Sequence, residues 1–186
     1  MKRKFGTREL VTSAAILAIC IVSQLLKNIS VMITGPIINA ALIIAVLSCG
    51  LVPALILSVI TPLTSFLITG SPVMKVLPGI IPLIMAGNAI LVIMVYCLMN
   101  TLGKKNSNAG LIAGMVSGSL LKAVFMGLTI SLGIIGNMLP APLIKMQPLL
   151  EKQFSLIQLI TALIGSVYAF IIWIPLKKMY NNEMSD

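Results

Sequence analysis

The stretch from Ala109 to Met126, AGLIAGMVSGSLLKAVFM, is long and apolar enough to enter a bilayer, yet it carries a lysine in its interior. Hydrocarbon offers no water to backbone N–H and C=O groups, so such a stretch must satisfy its own hydrogen bonds as a helix. Lys122 stands in steps of four from Gly110, Gly114 and Gly118. Positions four apart drift only slowly around a helix axis, so the four residues form one stripe. Three glycines on a stripe let a neighbouring helix approach closely. Lys122 shares that stripe and is expected to face protein or a cavity rather than lipid. A lysine held in the apolar zone is costly and by default marks a functional site. The competing reading is a side chain that snorkels to the membrane surface.

The rest of the chain has the same character. With 59% hydrophobic and 9% charged residues and a mean hydropathy of +1.11, it is an integral membrane protein rather than a soluble domain. The apolar segments form one compact run, which predicts a single all-α domain over residues 1–186. The net charge of +9 does not point to nucleic acid, because the basic residues cluster at segment ends, where lipid head groups and the positive-inside bias explain them. Cys20, Cys49 and Cys97 all fall in apolar segments, an odd set without disulfide or metal-ligand spacing. There is no histidine, which removes the commonest general base and metal ligand.

Six spans are predicted, over about residues 10–26, 37–51, 54–68, 77–99, 109–135 and 154–176. The basic start MKRKFGTR leads into an apolar run longer than the ~7–15 residues of a signal-peptide core, with no A-x-A site after it, so it reads as a first transmembrane helix. Lys27, Asn28 and Ser30 end that helix, and Thr34-Gly35-Pro36 is expected to be a turn before a short second helix. Gly50 and Pro53 mark a tight reversal. Pro62 should kink helix three, with Thr61, Thr64 and Ser65 near enough to help the freed backbone groups. A loop from Thr69 to Pro72 follows, and helix four then begins near Leu77. The segment from Gly136 to Lys152 is the longest connection, with a short interfacial helix expected near Leu149. Helix six should stop at Lys177-Lys178.

Six spans place both termini on one side. Lys2, Arg3, Lys4, Arg8, Lys104, Lys105, Lys177 and Lys178 then fall on that side, and Lys27, Lys75, Lys145 and Lys152 on the other. Eight cations against four predict cytoplasmic termini. A five-span alternative, with helices two and three merged into a re-entrant hairpin, would separate the termini, and the basic C-terminal pair counts against it.

This topology assigns depths. At ~1.5 Å per residue, Lys122 lies roughly 20 Å in from the inner loop, in the outer half of a ~30 Å core. Asn88 falls near the midplane of helix four. Asn39, Gln24 and Gln158 fall near the outer ends of helices two, one and six, and Thr64 and Ser65 in the outer half of helix three. Amides and hydroxyls often only bond neighbouring helices. Collected in one layer with a lysine, they instead make the candidate lining of a pocket open to the outside, with donors and acceptors to orient a polar solute.

No Asp or Glu lies in any apolar span, and there is no GxxxxGK[ST] loop, so neither ion coupling through carboxylates nor ATP binding of that kind is expected. Lys122 is the one conceivable base, and a Ser–Lys dyad is the enzymatic arrangement these residues leave open. No enzyme, metal or cofactor is expected. A protein that binds solute without an energy source should depend on a partner. Ala14 and Ala18, an A-x-x-x-A pair on helix one, are candidate docking residues, and internal packing is the alternative.

The start T-R-E-L-V-x-x-A, the Ala14/Ala18 pair, the PLIMAGNA of Pro82–Ala89, the length and the six spans with cytoplasmic termini make the chain resemble one family. It is similar, over essentially its whole length, to the S components, the substrate-binding subunits, of energy-coupling-factor transporters. The resemblance implies a bacterial cell membrane and a pocket toward the extracellular face under the loops after helices one, three and five. It implies docking of Ala14 and Ala18 on a membrane-embedded coupling subunit, energy from a pair of cytoplasmic ATPases, and toppling in the membrane to deliver solute. Lys122 and Asn88 are candidates for ligand contact from the residues themselves. The expected function is therefore capture of a small polar or anionic, vitamin-like micronutrient. The alternatives are a small oligomeric secondary carrier or channel, and a membrane scaffold or assembly factor without a solute.

Overall fold

The computed structural model describes residues 6–26, 30–103 and 107–183, and every regular element among them is helical. The first three long helices are α1 (Thr7–Leu25), α2 (Val31–Cys49) and α3 (Leu51–Thr69). A short α4 (Pro72–Val76) precedes α5 (Ile80–Thr101). α6 (Ser107–Met126) runs on as a π-helical segment, Gly127–Ile135, and a single turn, α7 (Gly136–Met138). A 3₁₀ segment, Ala141–Met146, then leads through α8 (Gln147–Phe154) to α9 (Leu156–Glu183). Six of these stretches are long and apolar enough to cross a membrane, so the chain is an all-α bundle of multi-pass type.

α2 is the most enclosed span and α1 the least. α2 packs against α1, α3, α5 and α9, while α5 pairs with α6. Large apolar side chains such as Val22, Leu67, Leu128 and Leu132 stand exposed on the outer faces, where lipid must cover them. Inside, two apolar clusters form. One gathers Cys20, Leu42, Val46, Leu91, Val95 and Met115, and the other Ile80, Met126, Ile130, Leu150 and Phe154. Along α5 and α6 the polar residues Asn88 and Lys122 fall between the two clusters.

Glycine permits two close helix contacts. On the α6 stripe, Gly110 faces the Leu98 carbonyl, Gly114 faces Val95 and Gly118 faces Leu91, in antiparallel register with α5. A Cβ at Gly114 would lie 2.8 Å from the Val95 Cα, so only glycine allows this approach. Lys122 is the next step along the stripe and is only 3% exposed, which excludes the snorkelling alternative. α2 and α9 meet in the same way through Gly35, against Thr161, and Gly165, against Pro36 and Asn39.

Several expected boundaries move. No turn interrupts Thr34-Gly35-Pro36, because α2 begins at Val31 and runs through it. The Ser30 hydroxyl caps this start by accepting from the Met32 N–H at 3.1 Å, and Thr34 Oγ1 donates to the Ser23 carbonyl at 3.0 Å, tying α2 to α1. α2 and α3 each have 19 residues and are separated by Gly50 alone, at φ +92°, so the re-entrant five-span alternative is replaced by two full spans. Pro53 falls in the first turn of α3, where a missing N–H leaves no bond unmade. At Pro62 the helix continues. The Thr61 carbonyl beside it accepts from both Thr64 Oγ1 and Gln24 Nε2, at 3.1 and 3.0 Å.

The expected loop after Thr69 contains α4, with Pro72 at its first position, and α5 starts at Ile80 rather than Leu77. The long connection is mostly helical. α9 passes through Pro175 and the lysine pair to Glu183. Cys97 is exposed on α5, unlike the buried Cys20 and Cys49. The expectations placed on Lys2, Arg3, Lys4, Lys27, Asn28, Lys104 and Lys105 lie outside the described residues.

Candidate functional site

A cavity of about 240 Å³ sits at the end of the bundle opposite Thr7 and Glu183, on the side of α4 and α8. Its floor is a polar contact among three helices. Lys122 Nζ donates to Asn39 Oδ1 at 2.6 Å and to Asn88 Oδ1 at 2.7 Å. All three residues are buried, at 2–3% exposure. Asn39 and Asn88 each lie eight residues into their helices, α2 and α5, which puts the floor ~12 Å below the helix starts.

The local sequence explains how the three side chains meet. The glycine stripe of α6 draws α5 in, and Gly87 leaves room for Met126 and the Lys122 stem beside Asn88. Gly165 lets α9 press on α2 at Asn39. Short charge-assisted bonds of this kind are about twice as strong as neutral ones. Leaving such donors and acceptors unpaired in a dry interior costs ~1–3 kcal/mol each.

No carboxylate among the described residues contacts the ammonium or lines the cavity. Among the described residues Glu9 caps the start of α1 and Glu183 ends α9, while Glu151 accepts from Gln147 and does not line the cavity. The walls combine polar groups (Thr34, Thr61, Ser65, Gln153, Gln158) with apolar ones from α2, α4, α5 and α8. Among the described residues no three His, Cys, Asp or Glu side chains cluster as metal ligands would.

Of the candidates read from the sequence, Lys122, Asn88, Asn39, Ser65 and Gln158 line this one cavity. Gln24 and Thr64 do not. Gln24 is fully buried between α1 and α3, its amide given to the Thr61 carbonyl, and Thr64 bonds within its own helix. Depth alone places both in this layer, but it does not fix which way a helix turns a side chain.

Sequence reasoning missed Thr34, Thr61 and the contributions of α4 and α8. The sequence places Thr34 in a turn, whereas α2 runs through it. In α8, QPLLEKQF, the i, i+4 pair Leu150 and Phe154 is the signal that could have found the buried face. It is Leu150, not the exposed Leu149, that turns inward. On α1, Ala14 and Ala18 are exposed on a face shared with Val11 and Ile19, so they do not pack inside this bundle. Comparison with known proteins gave no match of any kind, neither a family model, nor a curated protein, nor a solved structure.

Proposed function

We propose that this chain is a membrane-embedded solute-binding subunit of a partner-driven uptake system, the role that S components play in energy-coupling-factor transport. The observation that carries the reading is the cavity floor, where a buried lysine with no carboxylate partner among the described residues is held by two asparagines at one end of a six-span bundle. A charged group kept at that depth costs stability, and a polar solute that completes its hydrogen bonding offsets the cost. The sequence has no GxxxxGK[ST] phosphate-binding loop, and among the described residues no carboxylate lines the cavity to couple an ion, so the reading assigns the energy to a partner. The exposed small-residue face of α1 at Ala14 and Ala18 suits close docking on another membrane subunit. The charge distribution between the loops orients the cavity outward and the termini to the cytoplasm.

Ala14→Trp and Ala18→Trp test this reading. In vesicles that also contain a coupling subunit and its ATPase pair, either variant should abolish ATP-driven uptake while the purified chain still binds solute. Uptake by the chain alone, without ATPases, would replace the proposal with a stand-alone carrier. Loss of binding with the complex still assembled would return the alanines to a structural role.

A further inference from the structure

The cavity floor also defines the chemistry of what it holds. An ammonium has three N–H donors and no acceptor. Lys122 spends two of them on Asn39 Oδ1 and Asn88 Oδ1. Because the lysine only donates, each amide must turn its oxygen toward it, and the end left over is the NH₂ group. Neither amide nitrogen has a hydrogen-bond partner among the described residues. The third ammonium donor has none either. The floor therefore offers five N–H bonds (one from the ammonium, four from the two amides) and a single positive charge, against one remaining lone pair on each amide oxygen already engaged by Lys122.

From this donor-rich, cationic floor we infer that the ligand is a small organic monocarboxylate with an apolar body, an inference that rests on the solute-binding reading above. A carboxylate brings about four lone-pair sites and one negative charge, matching both the donors and the charge. An amine meets donors and a like charge. A neutral amide or alcohol accepts hydrogen bonds but leaves the buried charge uncompensated, and a phosphate dianion exceeds it. Among the described residues no carboxylate lines the cavity, so the ligand is the source of the counter-charge. Above the floor the side chains of Ile38, Val73, Met74, Ile84, Leu150 and Phe154 face the cavity and accommodate an apolar body.

Equilibrium dialysis of the purified full chain in detergent against a defined mixture tests the inference. The mixture holds the carboxylic acid, primary amide and amine built on each of the butyl, hexyl and phenylethyl skeletons, together with hexyl phosphate. Mass spectrometry measures what is retained. The wild-type chain should retain at least one acid about tenfold or more above its matched amide and amine, which corresponds to ~1.4 kcal/mol or more. Lys122→Met should remove that preference. Asn88→Asp is the second variant, because it keeps size and fold while placing an internal counter-ion and an acceptor on the floor. It should lose acid retention by a similar factor with its melting temperature unchanged or raised.

Amides or amines retained as well as the acids, or acid retention unchanged in Asn88→Asp, would overturn the carboxylate assignment and leave the solute-binding reading standing. Preferential retention of hexyl phosphate would do the same. Retention of no compound by the wild-type chain would overturn both.

Discussion

Replacing Gly165 by alanine places a methyl group where α9 crosses α2. A Cβ there would lie 2.7 Å from Asn39 Cβ, 2.7 Å from the Pro36 carbonyl oxygen and 3.1 Å from the Ala40 nitrogen. Two of these three neighbours are backbone atoms, so no rotamer change relieves the contact. Carbon atoms settle at ~3.5–4.0 Å, so α9 must withdraw from α2 by about 1 Å. Overpacking of this kind costs ~1–3 kcal/mol. For a chain of this length each kcal/mol is worth ~2–4 °C, which gives a fall in melting temperature of about 2–12 °C. The first side chain pressed is Asn39, so the lysine floor should loosen as well. The assay is thermal unfolding of the purified chain followed by its single tryptophan, Trp173, which lies on α9. Gly79→Ala is the control, since its Cβ would meet only Ile134 Cδ1 at 3.7 Å and should shift stability by no more than ~0.5 kcal/mol. If the two variants melt together at the wild-type temperature, the close α2–α9 contact is not what holds Asn39 in place.

Gln24→Met removes one buried hydrogen bond together with a side-chain oxygen that has no partner, and the Thr61 carbonyl keeps the Thr64 hydroxyl. Stability should change by no more than ~1 kcal/mol, with retention of solute unaltered; a loss of retention would put Gln24 back in the site. A membrane-permeant maleimide should modify Cys97 in the folded chain and reach Cys20 and Cys49 only after unfolding, so equal rates at all three would contradict their burial. In a background without native cysteines, Ser71→Cys should react with an impermeant thiol reagent from outside only and Thr101→Cys from the cytoplasmic side only. The reverse labelling would invert the bundle and turn the cavity inward.

The site was legible where helical periodicity reaches it. Steps of four placed Lys122 on the glycine stripe, and a stripe that must meet another helix cannot face lipid; the structure buries it against α5 accordingly. Asn88 was legible as an amide near the midplane, whereas Asn39, read at the outer end of helix two, lies as deep as Asn88 only because α2 begins at Val31. What depth could not supply was rotation about the helix axis, and Gln24 and Thr64, at suitable heights, turn toward neighbouring backbone instead of the cavity. Proline and glycine misled at Thr34-Gly35-Pro36. They read as a turn, but Ser30 had already capped the helix and Gly35 serves contact with α9.

Apolar length and the absence of water for backbone groups determined, from the residues alone, that this chain is a bundle of six long helices. Those are properties of each segment by itself, as is the cost of a lysine inside one. Which segments touch is not a segment property. The pairing of α5 with α6 and of α2 with α9, and hence the convergence of Asn39, Asn88 and Lys122 on one point, depends on packing between residues as far apart in sequence as 83 positions. The same holds for α4 and α8. Their sequences are short and only weakly patterned, and what makes them part of a cavity wall is the bundle end on which they close.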